Sequence, residues 1–467
     1  MLGSIITLLG GTVGAQIIAL GTAPILSRIF RPEDFGILAL YASILSVASV
    51  IASLRLHLAI LLPKTIQGAR AVAGLAGIIL LAMTALITII TLTSAEYIVY
   101  KIGNPSLKQY LWLIPIGFLI VGAYQIVVYF AMRQGDFISI SLSKLHQAVT
   151  MALIQIGGAQ LGTFSLIVGH ALGQGAGLGV LIRKSKELFT GKLPPKQILW
   201  ALHRYKKFPI YTSWAALFNT MGQQLPPIVL GASFGAHIAG IYFLAHRALV
   251  MPIAVIGRAV SDAYFSQSNL KSSNISHGKR LERTYQALIS ISAPPALGLI
   301  IIAPIFFKTI FGDEWMEAGD YARVMTPWLL TVFVISPLST IHITLEKQVH
   351  GIFFESILIS GRIASLWFGV KYGTPLTTVA LFSTWSTICW IGYLIWSYTL
   401  TEANLTSLIT STLRAFVAAL FFVTPIIIAI YLFQMDSRAL IIACIISGFL
   451  LALHYWREFR TAWKTSA

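Results

Sequence analysis

Apolar runs of roughly 20 residues, parted by short polar or basic stretches, recur from one end of this 467-residue chain to the other. At 1.5 Å rise per residue, about 20 apolar residues let a helix cross the hydrocarbon core of a bilayer. The runs are solid: positions 78–90 read IILLAMTALITII. A barrel strand would alternate with period two. Backbone polar groups in lipid must be paired within the segment, so the pattern predicts spanning helices. Spans are predicted near 4–26, 36–62, 71–94, 110–131, 144–162, 163–182, 209–233, 238–263, 285–308, 323–345, 352–370, 375–397, 413–433 and 438–456. The fold class predicted is therefore all-α, a polytopic membrane protein of about 14 transmembrane helices. The first run lacks a basic stretch before it and a second span follows within about ten residues, so it reads as a retained helix and not a leader.

Composition agrees. Charged residues make up 10% of the chain and hydrophobic ones 57%, against roughly 25% charged in soluble domains. Cys389 and Cys444 both fall in apolar runs, where packing is the expected role; neither a disulfide nor a metal is expected. No cofactor is expected either.

Charge gives the orientation. With the N-terminus inside, and residues at span ends counted with the adjoining loop, 21 of the 33 Lys and Arg residues fall on the cytoplasmic side, 8 on the outer side and 4 within spans. That asymmetry follows the positive-inside rule and predicts that both termini are cytoplasmic. The net charge of +17 is mostly this bias, together with attraction to anionic headgroups. The basic residues are scattered over separate loops, which argues against a nucleic-acid partner.

The 183–208 stretch is the longest and most basic loop, contains Pro194-Pro195, and divides six spans from eight. It reads as a linker between bundles. A weak internal echo supports duplication: Phe30/Gly36 and Phe234/Gly240 repeat at an offset of 204, and Arg55 and Arg258 at 203. Two halves of that kind suit a transporter. The expected division is an N-terminal lobe at 1–208, a C-terminal lobe at 209–400, and spans 13 and 14 with a tail at 401–467.

Three stretches carry a family likeness. The segment SRIFRPEDFGILALYASILSVASVIASLRLHLAILLPK (27–64) contains Arg31-Pro32-Glu33-Asp34-Phe35-Gly36 in its first outer turn. The others are 204–260, which opens RYKKFPIYTSWAALFN, and FGDEWMEAGDYARVMTPW at 311–328. In this order they resemble the polysaccharide biosynthesis family, O-antigen flippase-like, of the multidrug/oligosaccharidyl-lipid/polysaccharide exporter superfamily. The resemblance implies two six-helix bundles facing each other in a V. It implies transport of undecaprenyl-diphosphate-linked oligosaccharide units across the bacterial inner membrane, for O-antigen, capsule or exopolysaccharide. The partners implied are the lipid-linked oligosaccharide, the bilayer, and a polysaccharide polymerase and chain-length regulator. Spans 13 and 14 exceed the commonest twelve-span form, although a peptidoglycan-precursor flippase branch also has fourteen.

Four arginines fall inside predicted spans: Arg55, Arg247, Arg258 and Arg362. An Arg at the centre of a span costs roughly 2.5–3.5 kcal/mol on insertion scales, so it is expected to face a cavity or a partner. One reading is a cationic cavity for an anionic diphosphate, since guanidinium forks match phosphate oxygens. The other is structural pairing, Arg258 with Asp262 or Arg362 with Glu355. Asp262 and Glu355 are also the carboxylates nearest the spans, and with His170, which shares a face with Gln174, they are the candidates for ion or proton coupling. The glycine run 169–179 has small-xxx-small spacing and predicts close helix packing. Trp112, Trp315 and Trp328 read as interfacial belt residues, and the prolines at 115, 226–227, 252, 294–295 and 337 as mid-span kinks or hinges.

Two alternatives follow from the same features. A multidrug or cation exporter on this scaffold would want acidic cavity residues, where this chain places arginines. An envelope polymerase or ligase would want a sizeable outer loop, and 95–109 and 309–322 are each only about fifteen residues and hold no histidine. An enzyme is not expected.

Overall fold

The computed structural model describes residues 2–188, 190, 194–268, 276–340, 347–432, 442–443 and 446–451; the side chains of 2–9, 254–268 and a few single positions lie outside the described residues. The described elements are helices and helical turns. In chain order they begin with α1 (Leu2–Ile29), α2 (Pro32–Ser49), α3 (Leu56–Ala59), α4 (Ile66–Thr93), α5 (Ala95–Ile102) and α6 (Leu113–Gln134). Next come α7 (Phe137–Gly157), α8 (Thr163–Ala176), α9 (Leu178–Lys184), α10 (Pro195–Tyr205), α11 (Ser213–Phe234) and α12 (Ala236–Ser268). The last are α13 (His277–Phe311), α14 (Met316–Ile335), α15 (Gln348–Tyr372), α16 (Pro375–Leu400) and α17 (Leu405–Leu432).

Among the described residues, 10 helical segments are long and apolar enough to cross a membrane, and they fall on predicted spans 1, 3–6 and 9–13. Predicted span 2 is interrupted: α2 ends at Ser49, turns follow, and α3 restarts at Leu56. Predicted span 7 is α11, a 22-residue helix that falls outside the apolar set because Asn219, Gln223 and Gln224 occupy its middle. In predicted span 8 the apolar stretch is Ala236–Met251 of the longer α12. Predicted span 14 lies largely outside the described residues, as does Cys444.

The chain divides into two compact units, Met1–Leu244 with Thr309–Trp315, and Ala245–Lys308 with Met316–Ala467. In the first, α7 lies between α1 and α8, α4 packs on α6, and α2 is flanked by α6, α8 and α11. Water does not drive helices together inside lipid, so close approach through small residues has to do so. The α8 glycines supply it. A Cβ on Gly169 would meet Gln155 Cγ at 2.5 Å, one on Gly173 Met151 Cβ at 2.7 Å, and one on Gly177 the Ser143 carbonyl oxygen at 2.7 Å. Three glycines spaced by four thus seat α8 and its continuation on α7, as the spacing predicts.

The α2 start is held from several sides. Pro32 occupies the first helical turn, where its missing N–H costs nothing. Asp34 accepts from the Arg31 N–H at 3.0 Å, and its other oxygen accepts the Thr163 hydroxyl. Trp315 is buried edge-on against Phe35 and donates its Nε1–H to the Ser27 carbonyl at 2.8 Å. Trp315 is thus a core residue and not a belt residue. Trp112, half exposed, has the exposure a belt residue needs.

In the second unit, α15 packs on α16 and α16 on α14. Gly361 leaves room for the Trp385 indole and Gly369 for the Thr378 backbone. Leu281, Tyr285 and Leu288 of α13 form a core with Phe333, Tyr393, Tyr398 and Ala419. The Tyr285 hydroxyl stands 2.8 Å from Thr412 Oγ1. Two prolines expected at mid-span lie at helix ends: Pro115 in the first turn of α6, and Pro337 in the 3-10 turn after α14. Pro226-Pro227 and Pro294-Pro295 are inside α11 and α13.

Candidate functional site

Arg55 sits at the break in predicted span 2. Leu54 and Arg55 both have positive φ, 47° and 62°, a left-handed conformation that costs an L-residue roughly 1–2 kcal/mol each. Short turns, Leu54 N–H to the Ile51 carbonyl and Leu56 N–H to the Ser53 carbonyl, carry the chain through it. The ladder is resumed under His57, whose Nδ1 is 2.7 Å from Ser53 Oγ and whose ring lies 5.0 Å from that of Tyr129. Among the described residues Arg55 Nε is buried with no hydrogen-bond partner. A buried donor of that kind is costly unless something accepts from it.

His170 is half-buried on α8, with Gln174 Nε2 at 3.0 Å from its Nε2 and Tyr41 edge-on at 6.2 Å. The shared face inferred for His170 and Gln174 is a direct contact.

Arg247 is on α12, eleven residues past its first, or about 16 Å along the axis. It is half-buried. Among the described residues no ion pair or hydrogen bond reaches its guanidinium. The side chains of Arg258 and Asp262, on the same helix, lie outside the described residues. Glu355 is half-buried on α15, seven residues before Arg362.

Arg362 is buried and aromatic-caged. Its Nε–H donates to Ser386 Oγ at 3.0 Å, and its guanidinium carbon lies 5.4 Å from the Trp328 ring centroid and 5.0 Å from that of Phe382. Trp328 stands edge-on to Phe382 at 5.2 Å and is stacked with His246 at 5.9 Å. Ring faces are electron-rich and hold a cation more strongly when water is excluded. Trp328 is therefore a buried partner of Arg362 and not a belt residue. Sequence reasoning missed this cage because Trp328, Phe382 and Ser386 come from two helices that no local spacing relates.

A last pair lies at the start of α2. His237 Nδ1 donates to Glu33 Oε1 at 2.8 Å, and the two residues are 204 apart, the offset of the internal echo.

The fold is that of a multi-pass helical membrane protein. It superposes on the lipid II flippase MurJ, inward closed conformation, with a TM-score of 0.77 at 14% identity, covering 98% of this chain and 99% of that one. Likeness to the Vibrio cholerae MATE transporter VcmN is lower, TM-score 0.52 at 15% identity over 86% of this chain and 97% of that one. The family model described as polysaccharide biosynthesis protein matches residues 25–320, and the chain belongs to that family. The teichuronic acid biosynthesis protein TuaB of Bacillus subtilis (strain 168) is 23% identical over 257 residues, 51% of this chain and 51% of that protein. The alignment thus spans about half the length of that relative.

Proposed function

We propose that this protein is a flippase that moves lipid-linked oligosaccharide units across the membrane by alternating access. Arg247 carries the reading. A guanidinium three turns into a helix of a membrane-spanning chain, without a carboxylate partner among the described residues, is suited to an anionic ligand. Insertion of such a charge costs roughly 2.5–3.5 kcal/mol, and a diphosphate linking sugar to a polyprenyl carrier offers the paired oxygens that offset it. Membership of the polysaccharide biosynthesis family, a fold like that of a lipid II flippase, and likeness to a teichuronic acid biosynthesis protein support a sugar on a lipid carrier as the substrate class.

Arg55, with its unaccepted buried Nε–H, is a second diphosphate ligand in this proposal. Arg258 and Arg362 are further candidate cations in this proposal, Arg362 as a fixed charge. Asp262, Glu355 and His170 are the proposed coupling groups. We assign the protein to the bacterial inner membrane with both termini cytoplasmic. Its proposed organisation is two pseudo-symmetric lobes at 1–208 and 209–400, with 401–467 peripheral. A polymerase and a chain-length regulator would work beside it.

The test is deletion of the gene and analysis of lipid-linked saccharides on each leaflet. The expected result is accumulation of one diphosphate-linked saccharide on the cytoplasmic leaflet with loss of the matching surface glycan. An unchanged saccharide pool and unchanged surface glycans would overturn the proposal.

A further inference from the structure

The stretch read from sequence as a bare linker contains a helix with an exposed basic face. Ala201 and Tyr205 of α10 are buried and Ile198 is half-buried. These positions recur at intervals of three and four, so they make one face. That face packs on α4. The Trp200 indole approaches the Gly68 position there and stands edge-on to Tyr205 at 5.9 Å.

Away from that face, Lys196, Arg204, Lys206 and Lys207, with Leu199 and Trp200, line an open groove of about 600 Å³. Leu199 is 54% exposed and Trp200 46%. Among the described residues none of the four cations forms an ion pair. Acids are scarce nearby: between Asp136 and Asp262 the sequence has one carboxylate, Glu187, and Gln134 donates to it at 3.1 Å.

α10 also sits level with one end of a helix long and apolar enough to cross a membrane. Its partner α4 is a spanning helix, and α10 lies against the first turn, beside the Thr65 cap. On the other side the chain passes through a π turn at Phe208–Thr212 into α11, with Tyr211 and Trp214 exposed. Aromatic residues of this kind mark the headgroup level. A helix there, carrying unpaired cations interleaved with Leu and Trp, has the composition of an interfacial amphipathic segment.

We propose that the α10 groove binds anionic phospholipid headgroups, with Lys196, Arg204, Lys206 and Lys207 on the phosphates and Leu199 and Trp200 at the acyl boundary. Charge complementarity selects this occupant, because a zwitterionic headgroup brings a cation of its own against four others. The site uses phosphate chemistry, but its occupant is bulk phospholipid and not the transported lipid, so its test is independent of the flippase reading.

The full chain would be purified in mild detergent, given equal phosphatidylglycerol and phosphatidylethanolamine, and examined by native mass spectrometry. The quadruple variant K196Q/R204Q/K206Q/K207Q should retain at least about fivefold less phosphatidylglycerol than the parent, with phosphatidylethanolamine unchanged. The variant K101Q/K108Q/K371Q, with other exposed cations neutralised, should retain it like the parent. A second measurement needs no variant: hydrogen exchange of the unmodified chain in nanodiscs. Amides of 195–207 should exchange several-fold more slowly in phosphatidylglycerol than in phosphatidylcholine, while α4 amides exchange alike. Equal phosphatidylglycerol retention by parent and quadruple variant, or equal exchange of 195–207 in the two lipids, would overturn the proposal.

Discussion

Gly36 and Gly240 each lie against the main chain at the start of the other's helix. A Cβ on Gly36 would collide with the Ala236 carbonyl oxygen, and a Cβ on Gly240 with the Pro32 carbonyl oxygen. The four residues form two pairs at the same offset of 204, so the contact is reciprocal. Glu33 and His237, at that offset too, are bonded to each other beside the crossing. One short motif, present twice, thus packs against its own copy.

Gly36→Ala and Gly240→Ala should each destabilise the protein by about 1–3 kcal/mol, because the methyl group meets backbone, which cannot rotate away. Gly77→Ala is the matched control: nothing lies within 4 Å of its Cβ position, and alanine favours the helix. Thermal unfolding in detergent measures all three. Wild-type melting of either crossing variant contradicts the packing described.

The Glu33 pair should give a small acid-sensitive contribution. Partial burial pushes the Glu33 carboxyl up, but backbone N–H, the His237 hydrogen bond and charge, and Arg31 outweigh it and hold the carboxyl below its usual 4.5. A depressed carboxylate contributes stability that is present above its unfolded pKa and lost as pH falls through the lowered folded value. Glu33 and His237 are both about half exposed, so the contribution at pH 7 is below about 1 kcal/mol. Glu33→Gln should lower the melting temperature slightly at pH 7 and flatten its decline below pH 4.5. Parallel melting curves for wild type and variant down to pH 3 would argue against the pair.

Legibility followed the range of each interaction. The α8 glycines could be read because close packing imposes a period of four on one helix. The Gly36/Gly240 echo was visible as a repeat, but the contact between the copies was not, since a repeat says nothing about which surfaces meet. The break at Leu54-Arg55 was invisible: 36–62 is apolar and holds no proline or glycine between Gly36 and the final residues. Helix α10 was hidden by its charges, which ended the apolar run, although Ile198, Ala201 and Tyr205 already had helical spacing. The Arg362 cage needed α14 and α16 side by side, a tertiary fact.

Arg362 should matter to stability before it matters to binding. Removing it uncovers the Trp328 and Phe382 rings that it lies over and leaves the Ser386 hydroxyl without its donor. Arg362→Ala should cost about 2–4 kcal/mol from lost packing and cation–π contact. Arg362→Lys should recover part, since an ammonium keeps the charge but not the planar stack. Thermal unfolding of the two variants separates the effects; an Arg362→Ala protein that melts like wild type would remove the cage as a stabilising feature.

Arg247 should show the opposite behaviour. No hydrogen bond or ion pair among the described residues ties it down, and Asp262 is fifteen positions further on, about 22 Å along a helix. Arg247→Ala therefore removes no internal bond seen among those residues and should leave membrane level and melting close to wild type, within about 1 kcal/mol. Transport should nevertheless be abolished if its fork grips the carrier diphosphate. Arg247→Lys should restore only part of it, because the ammonium keeps the charge and loses bidentate geometry. Arg247→Gln, polar but neutral, should behave like the alanine variant. Surface glycan and membrane protein level would be measured together in strains carrying each variant. Wild-type glycan output from Arg247→Ala at normal protein level eliminates the role. An inactive Arg247→Ala protein that also fails to accumulate shows instead that Arg247 holds the fold.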